Sequence, residues 1–144
     1  MLAPRDAMTI WSPERAVLES NLSFYEAFAA QDFDAMDRLW SKRHLVACIH
    51  PGWQALHGRE RVMASWRTIL AAEAVAVRCE DARAHVLEDT AFVTCVEHVG
   101  NARLVATNIF VFEDGVWKMI HHQSAPFAER PLPNETVPPR ENLN

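Results

Sequence analysis

A chain of 144 residues, 49% of them hydrophobic, carries enough apolar mass for one domain with a real core, and disorder throughout is excluded. The formal net charge of −5 is spread over both signs with no basic stripe, which excludes nucleic acid as the main partner. No run of about 18 apolar residues occurs, so no membrane-spanning helix is expected, and the opening MLAPRDAMTIW does not read as a secretory signal.

Residues 1–11 read as an N-terminal arm. Ser12-Pro13-Glu14 then has the chemistry of a helix start: a hydroxyl cap, proline in the first turn and an acid beside the free N–H groups. Val17, Leu18, Leu22, Tyr25, Phe28 and Ala29 follow at the 3.6 period of an amphipathic helix. Gln31-Asp32 breaks it, and Asp32 can cap a short second helix with Phe33, Met36, Leu39 and Trp40 on its apolar face. The stretch ACIHPGWQALHG, residues 47–58, is bracketed by Pro51, Gly52 and Gly58 and reads as a chain reversal. A third helix is expected from about Arg59 to Glu73, with Val62, Trp66, Ile69 and Leu70 on one face.

After Ala74 the character changes. Four strand-like runs, 75–87, 90–99, 103–113 and 116–124, are rich in Val, Phe, Ile and Thr. Gly100-Asn101 and Asp114-Gly115 are hairpin signals. Helices first and an antiparallel meander afterwards is an α+β pattern. From residue 126 a proline-rich tail (Pro126, Pro131, Pro133, Pro138, Pro139) leaves the domain, which spans 12–125. Cys48, Cys79 and Cys95 lie in apolar, strand-like segments without CxxC spacing. They read as reduced, buried cysteines of a cytoplasmic protein, with a catalytic thiol as the alternative.

The run LVATNIFVF (104–112) is apolar at odd and even positions alike, whereas a sheet with one wet face alternates. Both faces therefore need cover. Three helices suffice for one, and a second copy of the chain packed sheet to sheet is the economical cover for the other.

Three helices followed by a meander, with FAAQDFDAM at the first helix junction, HPGW…HGRERV leading into the third helix and ATNIFVFEDGVWKMIHH at the end, is similar to the nuclear transport factor 2-like superfamily. The resemblance covers roughly residues 12–126 and is nearest to the SnoaL-like and ketosteroid-isomerase-like branch. It implies a cone-shaped α+β fold, a strongly curved, mostly antiparallel sheet wrapped around the first helix. It also implies an apolar pocket at one end and a homodimer. The fold alone does not name a reaction.

Ketosteroid isomerases of this fold use a carboxylate base before a proline, a tyrosine on the first helix and a protonated aspartate. Carried over in register, the base falls on His50, the aspartate on Asn108 and the tyrosine on Phe24, with Tyr25 next door and about 100° away on the helix. None of the three is identical, which argues against steroid isomerisation by that mechanism. His50 can still take a proton, and Asn108 can still donate to a developing oxyanion. If Asn108 points inward, the period of two brings Ala106, Phe110, Val93, Cys95 and Glu97 with it. Glu97 is then an acid on an apolar row, and it either pairs to fix the core or serves as a general base. Of His121 and His122 only one can enter. Local pattern puts His121 with Trp117 and Met119, while the family register puts His122 inside with Ile120 and Ser124.

Trp66 reads as pocket wall or core, and Trp53, just after His50, as a wall near the mouth. His50, His57 and His98 show no HxH or HExxH spacing, so no metal is expected, and no glycine-rich nucleotide loop or other cofactor signature appears. The expected function is a cofactor-free acid–base enzyme, an isomerase, cyclase or dehydratase, acting on a small hydrophobic carbonyl compound. His50 and Glu97 would move protons, Asn108 would anchor the carbonyl, and Phe24, Tyr25, Trp53, Trp66, Cys95, Phe110 and His122 would shape the pocket. A binding protein without turnover and a dimerising association module are the alternatives.

Overall fold

The computed structural model describes residues 12–130. The expected arm over 1–11 and the tail beyond Arg130 lie outside them.

Helix α1 (Pro13–Ala30) starts where its cap chemistry says: the Ser12 hydroxyl accepts from the Arg15 N–H at 3.2 Å. It ends on Gln31, which adopts the left-handed conformation at φ 56° and turns its N–H back to the Phe28 carbonyl. The Gln31 amide also donates to the carbonyls of Leu70 at 3.0 Å and Ala72 at 2.7 Å. It thereby ties the end of α1 to the end of α3 (Arg59–Ala71). The third helix stops two residues before the expected Glu73, because Ala72 leaves the helical conformation and bonds back to Ile69.

Helix α2 (Phe33–Leu39) is capped by the Asp32 carboxylate, which accepts from Ala35 N–H at 3.0 Å. Asp32→Ala is expected to cost about 1 kcal/mol, the usual worth of an N-cap, read as a lowered thermal midpoint. The far end of α2 is closed by Arg59. Its guanidinium donates to the carbonyls of Trp40, Ser41 and Asp37 and to the Asp37 carboxylate at 2.6 Å.

Among the described residues the sheet has six strands, numbered in chain order and arranged β2-β1-β6-β5-β4-β3. Strands β3 (Val77–Leu87), β4 (Thr90–Val99), β5 (Ala102–Glu113) and β6 (Val116–Pro126) form the expected antiparallel meander. Asp114 and Gly115 both take positive φ, 52° and 82°, as a two-residue hairpin of this twist demands. Two strands go beyond the expectation. Within the stretch read as a reversal, β1 (Ala47–Ile49) pairs with β2 (Leu56–His57) and, in parallel, with β6. At three and two residues they are too short to carry a period.

Alternation places one row of β4 (Ala91, Val93, Cys95, Glu97) and one of β5 (Leu104, Ala106, Asn108, Phe110) on the buried concave face. On β6 both alternatives for the histidine pair hold in part. Trp117 and Met119 are buried, and so are His122 and Ser124. Phe110 pairs with Met119 while Ile109 pairs with His121, so Ile120 is the extra residue of a bulge that switches the inward parity. His122 enters the core and His121 stays half-buried on the other side.

Helix α1 lies against this concave face and buries Val17, Asn21, Phe24, Tyr25 and Ala27. Phe24 and Tyr25 are both buried on this side, although about 100° separates them on the helix. The sheet curls round α1, so positions about 100° apart on the helix both meet it. Phe24 packs edge-on to Trp66 and beside His122. Tyr25 points to Cys95 and Glu97 on β4.

Candidate functional site

A cavity of about 200 Å3 lies between α1, α3, the β1–β2 turn and the meander. Its polar wall is His50, Glu97, His122 and Ser124. Trp53, Trp66 and Phe28 supply the aromatic wall, and Ile69, Val99, Leu104 and Pro51 the aliphatic one. Trp53 is 44% exposed and stands edge-on to His50 at 4.8 Å, a wall near the mouth. The volume is below the roughly 300–1,000 Å3 of pockets for drug-sized ligands.

Each polar group is held by a defined partner. His50 follows β1, where Trp53 N–H bonds back to the His50 carbonyl in the turn that Pro51 and Gly52 make. Its Nε2 lies 2.9 Å from the Ser65 hydroxyl on α3. Ser65 gives its own proton to the Val62 carbonyl at 2.6 Å, so it accepts from His50, and His50 carries its proton on Nε2. Nδ1 is the unprotonated nitrogen and accepts from the buried Cys48 thiol, whose sulfur lies 3.9 Å from it and 3.6 Å from Nε2. Burial pulls the His50 pKa down to about 4.

Behind the cavity runs a chain of hydrogen bonds through α1 and the meander. The Asn108 amide donates to Asn21 Oδ1 at 2.8 Å and to the Tyr25 hydroxyl at 3.1 Å. Its carbonyl oxygen therefore accepts from His122 Nδ1 at 2.5 Å. His122 thus holds its proton on Nδ1 and leaves Nε2 free, 3.8 Å from Glu97 Oε2. Burial first, then the neighbouring His50 and His121, bring its pKa down to about 3. The Tyr25 hydroxyl donates to Glu97 Oε2 at 2.5 Å, and Cys95 Sγ lies 3.3 Å from the same hydroxyl.

Burial raises the Glu97 carboxyl above the usual range, against the pull of hydrogen bonds from Tyr25 and Ser124. As a carboxylate Glu97 accepts from Tyr25. As an acid it can donate to the phenol oxygen while the phenol proton turns to Cys95. Both protonation states are therefore hydrogen-bonded.

Several expected site residues are placed differently. Asn108 is fully buried one layer behind the cavity with both amide protons engaged, so in this arrangement it has no donor left for a carbonyl. Phe24, Tyr25, Cys95 and Phe110 are buried but do not line the cavity; Phe24 packs on Trp66 and His122, and Tyr25 sits behind Glu97. Sequence reasoning passed over Ser65 and Asn21. Each is a small polar residue on an apolar helix face, Asn21 one turn after Val17 and Ser65 three residues after Val62. Such a residue on a buried stripe is the available signal that a buried partner awaits it.

The sequence profile of the SnoaL-like domain matches residues 17–128. A candidate dehydratase of the NTF2-like family from Streptomyces avermitilis is 30% identical, with TM-score 0.73 over 80% of this chain and 96% of that one. A candidate calcium/calmodulin-dependent protein kinase type II association domain from Thiobacillus denitrificans is 29% identical, with TM-score 0.70 over 76% and 93%. The F-box protein SKIP8 of Arabidopsis thaliana is 30% identical over 118 residues. That match covers 80% of this chain but only 51% of SKIP8, so the chain spans about half that relative's length. With a matching profile across most of its length and the same curved sheet around α1, the chain belongs to the SnoaL-like domain family of the NTF2-like fold.

Proposed function

We propose that this protein is a cofactor-free acid–base enzyme of the isomerase or lyase type, acting on a small hydrophobic carbonyl compound. The observation that carries the reading is Glu97. It is a carboxyl in an apolar wall, raised by burial, hydrogen-bonded in either protonation state and flanked by two neutral imidazoles. Glu97 takes or returns the proton α to the carbonyl, and His50 Nδ1 is the second proton carrier. Asn108 acts as a positioning residue behind His122 and Tyr25. The similarity to a candidate dehydratase supports lyase chemistry. The test is deuterium incorporation at the α-carbon of phenylacetone in D2O, followed by NMR with and without protein. Binding without exchange would instead mark a ligand carrier.

A second reading, a dimerising module, is favoured by the similarity to an association domain. The two readings share one partner, a second copy of the chain on the convex sheet face. There Ile109 is half-buried and Val105 is 44% exposed, an apolar row that water leaves uncovered. Val105→Asp is expected to convert a dimer into a monomer in sedimentation velocity, and a wild-type protein that is already monomeric overturns the dimer. Free Cys48, Cys79 and Cys95 favour a reducing, cytoplasmic setting. No helix among the described residues is long and apolar enough to cross a membrane.

A further inference from the structure

We infer that the cavity recognises its ligand as a donor of hydrogen bonds: a small, neutral, hydroxyl-bearing molecule whose O–H is taken by the lone pair of His122 Nε2 or by the Glu97 carboxylate beside it. This deepens the reading of the site as a small-molecule pocket and rests on it.

The inference follows from where the protons are. Ser65 and Asn108 each lock one histidine so that its inner nitrogen is protonated and the other is not. Burial keeps both rings uncharged at neutral pH, so neither becomes a cation that would donate. The Glu97 carboxylate already receives Tyr25 and is a further acceptor. The donors that an acceptor ligand would need are spent elsewhere: the Ser124 hydroxyl in the wall and the Tyr25 hydroxyl behind it on Glu97, and the Asn108 amide on Asn21 and Tyr25. Trp66 Nε1 finds no partner among the described residues, but the atom itself is buried. Among the described residues no Lys or Arg lines the cavity, so a carboxylate or phosphate ligand would meet no countercharge from them. A hydroxyl, by contrast, finds two acceptors inside an apolar wall. A ligand carbonyl gains no such bond by itself, so a simple ketone binds more weakly than one whose hydroxyl accompanies the carbonyl, as in a β-hydroxy ketone, the substrate form that a dehydratase would need.

The test uses matched probes of one shape: benzyl alcohol, benzyl methyl ether, benzaldehyde and benzoate, titrated against the whole protein by NMR shift changes. Benzyl alcohol is expected to bind about tenfold tighter than each of the others, the scale of one buried hydrogen bond. His122→Phe, which keeps the ring volume and removes the acceptor, is expected to erase most of that preference. In 15N-histidine-labelled protein without ligand, His50 should be protonated at Nε2 and His122 at Nδ1. Equal or tighter binding of the ether, the aldehyde or benzoate overturns the inference. So do the opposite tautomers, or no binding of benzyl alcohol up to its solubility. Should His122→Phe fail to fold, the probe series and the tautomers in the wild type decide alone. Absence of α-proton exchange would sink the catalytic reading while leaving this preference as measured.

Discussion

Glu97→Gln is expected to slow α-proton exchange in bound phenylacetone by at least about 10²-fold, the usual worth of a positioned general base. The substitution keeps volume and shape. The glutamine oxygen can still accept from Tyr25, now 2.5 Å from the carboxylate, so the network behind the cavity survives. What disappears is the group that changes protonation. Stability should not fall, because a carboxyl that burial disfavours in its charged form is replaced by a neutral amide. An exchange rate within threefold of the wild type, with a normal thermal midpoint, would remove Glu97 from the chemistry. His50→Ala is the companion measurement. Loss of exchange there, with Glu97 intact, would assign His50 the larger share.

Acid is expected to unfold this protein well above the range where ordinary carboxylates titrate. In the unfolded chain an imidazole takes a proton near pH 6.5. In the folded chain burial holds His50 to about 4 and His122 to about 3. Between those limits the unfolded state binds the extra protons. The stability from keeping both rings neutral is therefore complete above about pH 6.5 and is lost as pH falls toward 4 and then 3. Each proton contributes about 1.4 kcal/mol per pH unit in that window, so two histidines can remove several kcal/mol by pH 5. Glu97 acts in the opposite direction, because its raised pKa makes the fold gain stability on protonation. The predicted net result is a thermal midpoint that drops from pH 7 to pH 5, with a shallower slope in His122→Phe. A midpoint flat across that range would mean that the two rings are not held neutral.

Much of the frame was legible in the chain because its signals are local. Ser12 and Asp32 cap the helices that follow them, and Asp114-Gly115 makes the turn that its dipeptide demands. A period of two is a property of a single strand, and the count from Asn108 on β5 to Glu97 on β4 reached the buried row because the hairpin between them holds no bulge and pairs Glu97 with Leu104. The same counting failed on β6, where one extra residue at Ile120 reverses parity. A bulge is defined by the partner strand, and β6 alone does not reveal it.

The site itself was read less completely. The family register led to His50, Asn108 and Phe24. What each can do depends on hydrogen bonds between residues far apart in sequence: Tyr25 to Glu97, 72 positions away, and Asn108 to Asn21, 87 positions away. These contacts turn Tyr25 inward and, with the second bond from Asn108 to Tyr25, leave Asn108 no free donor. Composition, caps and alternation belong to the chain alone, because they reflect backbone hydrogen bonds and apolar burial that each segment faces by itself. Proton placement belongs to the tertiary structure, because a buried polar atom takes its state from the partner that packing brings to it.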